Sequence, residues 1–434
     1  MASLAPPRTL LSASLVAALL ALAAGTTAAY DVVQVTDDAH QNYMPSLVQL
    51  ADGSLMIAYE RLDTNFENGD ILVTFSTDGS SWTEPTLAVA AAGNERHPAL
   101  VQLGDGTFQI YYLSDETGGY RIHMASSPDG VTWTRDGIVT LGWSSENLVN
   151  PTVCVETDGS LTMAYDVLSN GGYVAHSPDG ITWDQDRTNV STGSLNRIMR
   201  HTDGTYVLSY QRRTGIHYYQ IDIFTKTSPD RVSWSGETRV TTTMNSHDSF
   251  PLELADGSYG LFYATSSGGN PYELFTRDSV DGDAWSNELP WLPDAGWDTQ
   301  PHPVTLADGR IAMAWAHGPA QANTEVHFVV LDPSTGVAPP VASEQPPRTS
   351  RLSFSRNPFS DSVAVSCDGE TVSGTVTVHD VAGRLVRRLE TDDVGAGVVW
   401  DGTDETGQSL PSGIYFLRTG TATGTACGKV ALLR

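Results

Sequence analysis

The sequence predicts an all-β chain: a six-bladed β-propeller followed by a small β-sandwich. Three observations carry this reading. An Asp-Gly turn recurs six times at nearly constant spacing, a Ser-x-Asp-Gly-x-x-Trp stretch recurs between those turns, and a proline-rich passage separates both from a last group of short strands. With 434 residues, 40 Gly and 10 Trp, the composition suits many short strands joined by tight turns.

The Asp-Gly turns place their aspartates at 52, 105, 158, 203, 256 and 308, in steps of 53, 53, 45, 53 and 52. Glycine tolerates positive φ and the Asp side chain caps its own backbone, so each is a hairpin turn. An alternating strand precedes the turn (PSLVQL, PALVQL, PTVCVE) and a second follows it (LMIAYE, FQIYYL, LTMAYD). A third strand runs into the Trp-containing stretch and a fourth leaves it. Four strands per roughly fifty residues, six times over, predict six propeller blades.

The second motif reads STDGSSW (76–82), SPDGVTW (127–133), SPDGITW (177–183), SPDRVSW (228–234) and SVDGDAW (279–285). Its Asp can accept turn amides, its Ser caps locally, and its Trp can pack between blades, so it reads as a structural clasp. The sixth blade has no clasp and leaves its sheet at Pro333. Its fourth strand is expected from DVVQVT (31–36), which closes the ring and removes an open sheet edge.

The flanks divide the chain. Residues 1–29 combine Arg8, an apolar run and a small-residue tail, the pattern of a secretory leader, with a membrane anchor as the alternative. The propeller is expected over 30–331, a linker with five prolines over 332–350, and a second domain over 351–434. No later stretch is apolar enough to span a bilayer. The net charge of −27 repels nucleic acid and anionic membranes, which leaves glycans, proteins or cations as partners. Of the three cysteines, Cys367 and Cys427 could pair and Cys154 reads as a buried thiol. Neither their spacing nor that of the histidines gives a metal-ligand pattern, and no cofactor is expected.

The repeated Ser-x-Asp-Gly-x-x-Trp resembles the Asp-box, or neuraminidase repeat, of the sialidase superfamily, although the usual box has one more residue between Asp and Gly. The resemblance covers residues 31–331 and implies a glycan-directed propeller. The first blade carries Tyr43-Met44-Pro45 where family members usually show an Arg-Ile-Pro-like segment. In the last domain, NPF (357–359), VHDVAGRLVRRL (378–389), WDGTDETGQSLPSGIYFLR (400–418) and KVALLR (429–434) resemble the immunoglobulin-like domain related to the flagellar hook-capping protein. That resemblance implies an immunoglobulin-like β-sandwich used as a sorting signal of type IX secretion. It implies a bacterial protein that crosses the outer membrane, is secreted or surface-held, and meets the secretion machinery.

Propeller geometry directs attention to one face. If each first strand lines the central channel, its start and the end of the second strand share a mouth, opposite the clasps. Candidate substrate-binding residues there are Tyr43, Arg61, Arg96, His97, Asn150, Arg197, Arg212, His302 and His317. Aromatics stack on sugar rings, while acids, amides and cations bind hydroxyls. A glycosidase also needs two carboxyls, one protonated and one ionised, and Glu60, Asp166 and Asp248 are the candidate catalytic acids. The expected function is a glycoside hydrolase divergent from true sialidases acting on a glycan or glycoprotein. The alternative is a non-catalytic propeller that binds glycan or protein at the cell surface.

Overall fold

A computed structural model describes residues 31–434, apart from 64–66, 218–219, 243–244, 267–270, 292–295, 321–322, 332–351, 357–358, 368–373, 380–383, 392–397 and 422–423. The leader, the linker and the side chains of Cys367 and Cys427 lie outside the described residues. The chain divides into two compact units at Val341 and Ala342.

The first unit is six four-stranded antiparallel sheets. Blade 1 shows the plan: Gln41–Gln49, Leu55–Leu62, Asp70–Ser76 and Thr86–Val89, in that order across the sheet. The second strands are largely apolar at their centres, as in Leu55–Leu62 and Ile311–Gly318, because both faces pack against neighbouring blades. The aromatics at Tyr59, Tyr112, Tyr165, Tyr210, Tyr263 and Trp315 occupy one equivalent position per blade and are all buried.

Blade 6 is completed from the other end of the chain. Its sheet order sets Val33–Gln34 beside Glu325–Leu331, with Val33 opposite Phe328 and Gln34 opposite His327. The closure extends past these two residues. The Val35 amide donates to the Val326 carbonyl at 2.8 Å, and the Val326 amide donates to Thr36 Oγ1 at 2.9 Å. Thr36 Oγ1 donates in turn to Glu325 Oε2 at 2.5 Å, which also accepts from Asn42 Nδ2 at 2.8 Å. The expected closing strand is thus present, clamped by one glutamate.

The clasps sit at the end of the blades that holds the Asp-Gly turns. In each, one Asp oxygen accepts two successive turn amides: Asp179 takes those of Ile181 at 2.9 Å and Thr182 at 2.7 Å. The clasp serine, fully buried at Ser177, accepts the glycine amide at 2.8 Å. That glycine lies at φ 75° with the previous blade against its Cα; a Cβ on Gly180 would stand 2.3 Å from Gln109 Oε1. Blade 4 puts Arg231 in the same conformation, at φ 69°. The clasp tryptophan leans on the previous blade as well, edge-on to Tyr111 for Trp183 and to Phe328 for Trp82.

The second unit has a three-stranded sheet (Leu352–Phe354, Val363–Cys367, Val398–Trp400) and a four-stranded one (Gly374–His379, Leu385–Thr391, Gly413–Thr421, Gly424–Leu432). Val363, Val365, Val376, Val378, Trp400, Leu417 and Val430 form a dry core between them. Asp401 and Asp404 cap their own turns, through Thr403 and through Thr406 and Gln408.

Two stability predictions follow from these contacts. Deleting residues 31–36 removes the closing strand and its hydrogen bonds, and should cost about 3 kcal/mol or more by thermal unfolding. Ser177→Ala leaves the Gly180 amide without its buried acceptor and should cost about 1–2 kcal/mol by denaturant titration.

Candidate functional site

Each blade's first strand breaks register near its start. The ladder with the second strand skips between Tyr43 and Ser46, Arg96 and Ala99, Val149 and Thr152, Ser194 and Arg197, His247 and Phe250, and Thr299 and His302. One residue in each break is left-handed: Met44, His97, Asn150, Leu195, Asp248 and Gln300, with φ between 47° and 58°. Six non-glycine residues at positive φ form a repeated β-bulge at the start of every channel strand.

A bulge frees a backbone amide that needs an acceptor. Neighbouring blades supply it. The His97 amide donates to Glu60 Oε2 at 2.8 Å, the Leu195 amide to Asp166 Oδ2 at 2.7 Å, and the Asp248 amide to Gln211 Oε1 at 2.9 Å. The Met44 amide donates to Gln300 Oε1 at 2.9 Å, and the Gln300 amide faces the Asp248 carboxyl and lowers its pKa. Glu60, Asp166 and Gln211 stand immediately after the aromatic of their second strands; blades 2, 5 and 6 carry Leu113, Ala264 and Ala316 there.

These brackets decide what the candidate acids can do. Glu60 is fully buried, paired with Arg96 at 2.9 Å. Burial pushes its carboxyl up, but the Arg96 and His97 side chains and the two hydrogen bonds outweigh that and hold it below the ordinary glutamate value. Asp166 accepts from Asn150 Nδ2 and Asn196 Nδ2, both at 2.6 Å, and from the Leu195 and Asn196 amides. Burial drives its pKa up against these four donors. Asp248 lines the channel; desolvation raises its pKa, opposed by the charges of His247 and Arg197 and by the Gln300 amide.

The channel is a cavity of 840 Å³ lined by all six first strands. At its mouth stand Met44, His97, Arg197, Asp248, Gln300 and His302; Arg200 and Glu253 lie toward the other end. Arg197 Nη1 donates to Thr152 Oγ1 at 2.9 Å. Desolvation lowers its pKa, and the Asp166 and Asp248 charges work against that. Burial lowers His97 to about 4 and His302 to about 3, with Arg197 nearby adding to the effect on both. His302 Nδ1 accepts the Leu47 amide at 3.2 Å, and the His97 ring hydrogen-bonds the Asn150 side chain.

Other predicted residues are spread around this mouth. Tyr43 is buried, its hydroxyl pKa pushed up by burial to about 12. Arg61 pairs with Asp70 at 3.5 Å, and His317 with Asp298 at 2.9 Å. Arg212 makes a two-pronged pair with Glu237, at 2.7 and 2.9 Å, and lies over the Phe224 ring. The structure thus brings His97, Arg197, Asp248 and His302 together on the cavity wall and commits Arg61, Arg96, Arg212 and His317 to carboxylates. Sequence reasoning did not single out Asn196; the proline after Gln300, repeated at Met44-Pro45, His97-Pro98 and Asn150-Pro151, marks the bulge. Among the described residues no group of His, Cys, Asp and Glu could hold a metal ion.

The Glu60–Arg96 pair gives a pH prediction. A carboxyl held low in the folded state stabilises it above the unfolded value, near 4.3, and that contribution disappears as pH falls through the folded value. Stability measured by denaturant should therefore drop below about pH 4.5. Glu60→Gln should flatten that part of the profile and cost about 2–4 kcal/mol at pH 7, because Arg96 stays behind without its partner.

Comparison with known proteins fits both units. Residues 353–424 match the family described as the FlgD Ig-like domain. No curated protein matches the sequence. Among solved structures, a Dyadobacter fermentans protein of unknown function superposes with a TM-score of 0.58 at 16% identity, covering 69% of this chain and 97% of that one. The leech intramolecular trans-sialidase complexed with 2,7-anhydro-Neu5Ac gives 0.57 at 11%, covering 72% and 71%. The Penicillium chrysogenum α-L-arabinanase complexed with arabinobiose gives 0.54 at 17%, covering 71% and 99%. The chain therefore joins a propeller with the fold of sialidases and arabinanases to an FlgD-type immunoglobulin-like domain.

Proposed function

We propose that the propeller binds a glycan at the mouth of its axial channel. The observation that carries this is the convergence of six bulged strands on a partly desolvated polar wall that holds Arg197 and Asp248, with Gln300, His97 and His302 around it. A concave site with a few fixed donors and acceptors and apolar walls suits a sugar's hydroxyls and ring faces. The fold's neighbours include proteins solved with 2,7-anhydro-Neu5Ac and with arabinobiose.

Binding is favoured over hydrolysis. A glycosidase sets two carboxyls against one bond. Glu60 and Asp166 are buried and spent on bulge amides, asparagines and Arg96, while Asp248 is the one acid at the mouth end of the cavity lining among the described residues. The opposed shifts of Asp248, upward, and Glu60, downward, are the feature a hydrolytic reading draws on. Glu60, fully buried behind Arg96, offers no oxygen to a substrate.

We propose further that residues 1–29 direct export and that the C-terminal domain addresses the protein to the secretion machinery of a bacterium, for release or retention at the surface. The leader's composition and the domain match over 353–424 support this.

The test combines binding and product release on a panel of neutral and sialylated glycans. The full chain should bind without releasing product, and Arg197→Gln should weaken binding about tenfold or more, the loss of one charged hydrogen-bonding group. Product release that disappears in Asp248→Asn would replace the binding reading with a glycosidase.

A further inference from the structure

The charge balance of the mouth bears on which sugars it takes. A sugar carboxylate is held best by an unopposed guanidinium, ideally in a two-pronged pair. The cavity lining contains two arginines, Arg197 at the mouth and Arg200 toward the far end, and no lysine. Arg200 is already paired with Glu156 at 2.8 Å. Arg197 feels the charges of both Asp166 and Asp248. Asp166 is surrounded by four donors, so it acts on Arg197 as a carboxylate. The two histidines on the lining, His97 and His302, are uncharged imidazoles at neutral pH because burial disfavours their protonation. Nearby cations are engaged as well: Arg96 with Glu60, Arg61 with Asp70 and Arg212 with Glu237.

Resting on the reading that the mouth binds sugar, we propose that its ligand class is uncharged glycan, built of neutral pentose or hexose units, and that the site discriminates against sialylated and uronate-bearing chains. A neutral sugar meets what the mouth supplies: Asp248 accepts hydroxyl hydrogen bonds, Arg197 donates to hydroxyl oxygens, and Met44 and Phe250 offer apolar wall. A carboxylated sugar brings a negative charge into a mouth whose one guanidinium, Arg197, already faces Asp166 and Asp248, on a chain whose net charge is already −27. Asp248 is in this sense a specificity residue: it shares Arg197 with Asp166 and adds an acceptor, not a cation, to the wall.

The test is a calorimetric titration of the full chain with matched pairs, lactose against sialyllactose and neutral arabino-oligosaccharides against oligogalacturonate. Neutral members should bind and their carboxylated counterparts should bind at least about tenfold more weakly. Asp248→Asn removes a carboxyl from the wall that Arg197 faces, so it should shrink that preference severalfold by raising affinity for the carboxylated sugars. Carboxylated sugars binding as tightly as neutral ones, or tighter, would overturn the charge argument while leaving the mouth a glycan site. Binding of neither kind would overturn the glycan reading itself and this inference with it.

Discussion

The architecture depends on how one blade satisfies the broken backbone of the next. Each channel strand needs a left-handed residue at its bulge, and that conformation costs a non-glycine residue about 1 kcal/mol or more. Six such positions persist because the freed amides face acceptors across the blade boundary: Glu60, Asp166, Gln211, Asp248 and Gln300. The His97–Asn150 side-chain contact ties the remaining boundary, between blades 2 and 3. Apolar packing is also extensive there, running from Tyr111 and Ile122 through Leu161, Met163 and Trp183.

Polar groups near a channel are thereby divided between two tasks. Glu60 and Asp166 are buried and saturated by amides, asparagines and Arg96, and their chemistry is structural. Arg197 and Asp248 stand on the cavity wall and remain available to a ligand. The clasps do their bracing at the opposite end of the blades, where Asp, Ser and Gly close the turn and Trp leans on the preceding blade. The wheel is therefore fastened at both ends, and its axis is left hollow.

Much of this was legible in the sequence. The Asp-Gly spacing counted the blades, and the missing sixth clasp pointed to closure by the first strand. Propeller geometry also placed the mouth opposite the clasps, since Glu60 pairs with Tyr43 at one end of its strand while Leu55 meets Ser76 at the other. The site was read less well, for a physical reason. His317 stands among the candidates by its polarity, whereas the register sets Ala316 at the position of Glu60. A bracket's role depends on an amide some thirty-five residues away on another blade, as for Glu60 with His97, so no local pattern reveals it. Bulges did leave a trace, the proline after four of the six left-handed residues, but its meaning needs the ladder to be seen.

The most direct measurement is a crystal structure of the full chain with a neutral oligosaccharide bound. The account predicts the sugar at the channel mouth, its hydroxyls within hydrogen-bonding distance of Arg197 and Asp248, with the Glu60 and Asp166 brackets intact. A sugar bound instead over the clasp turns, or one that reaches Glu60 by displacing Arg96, would contradict it.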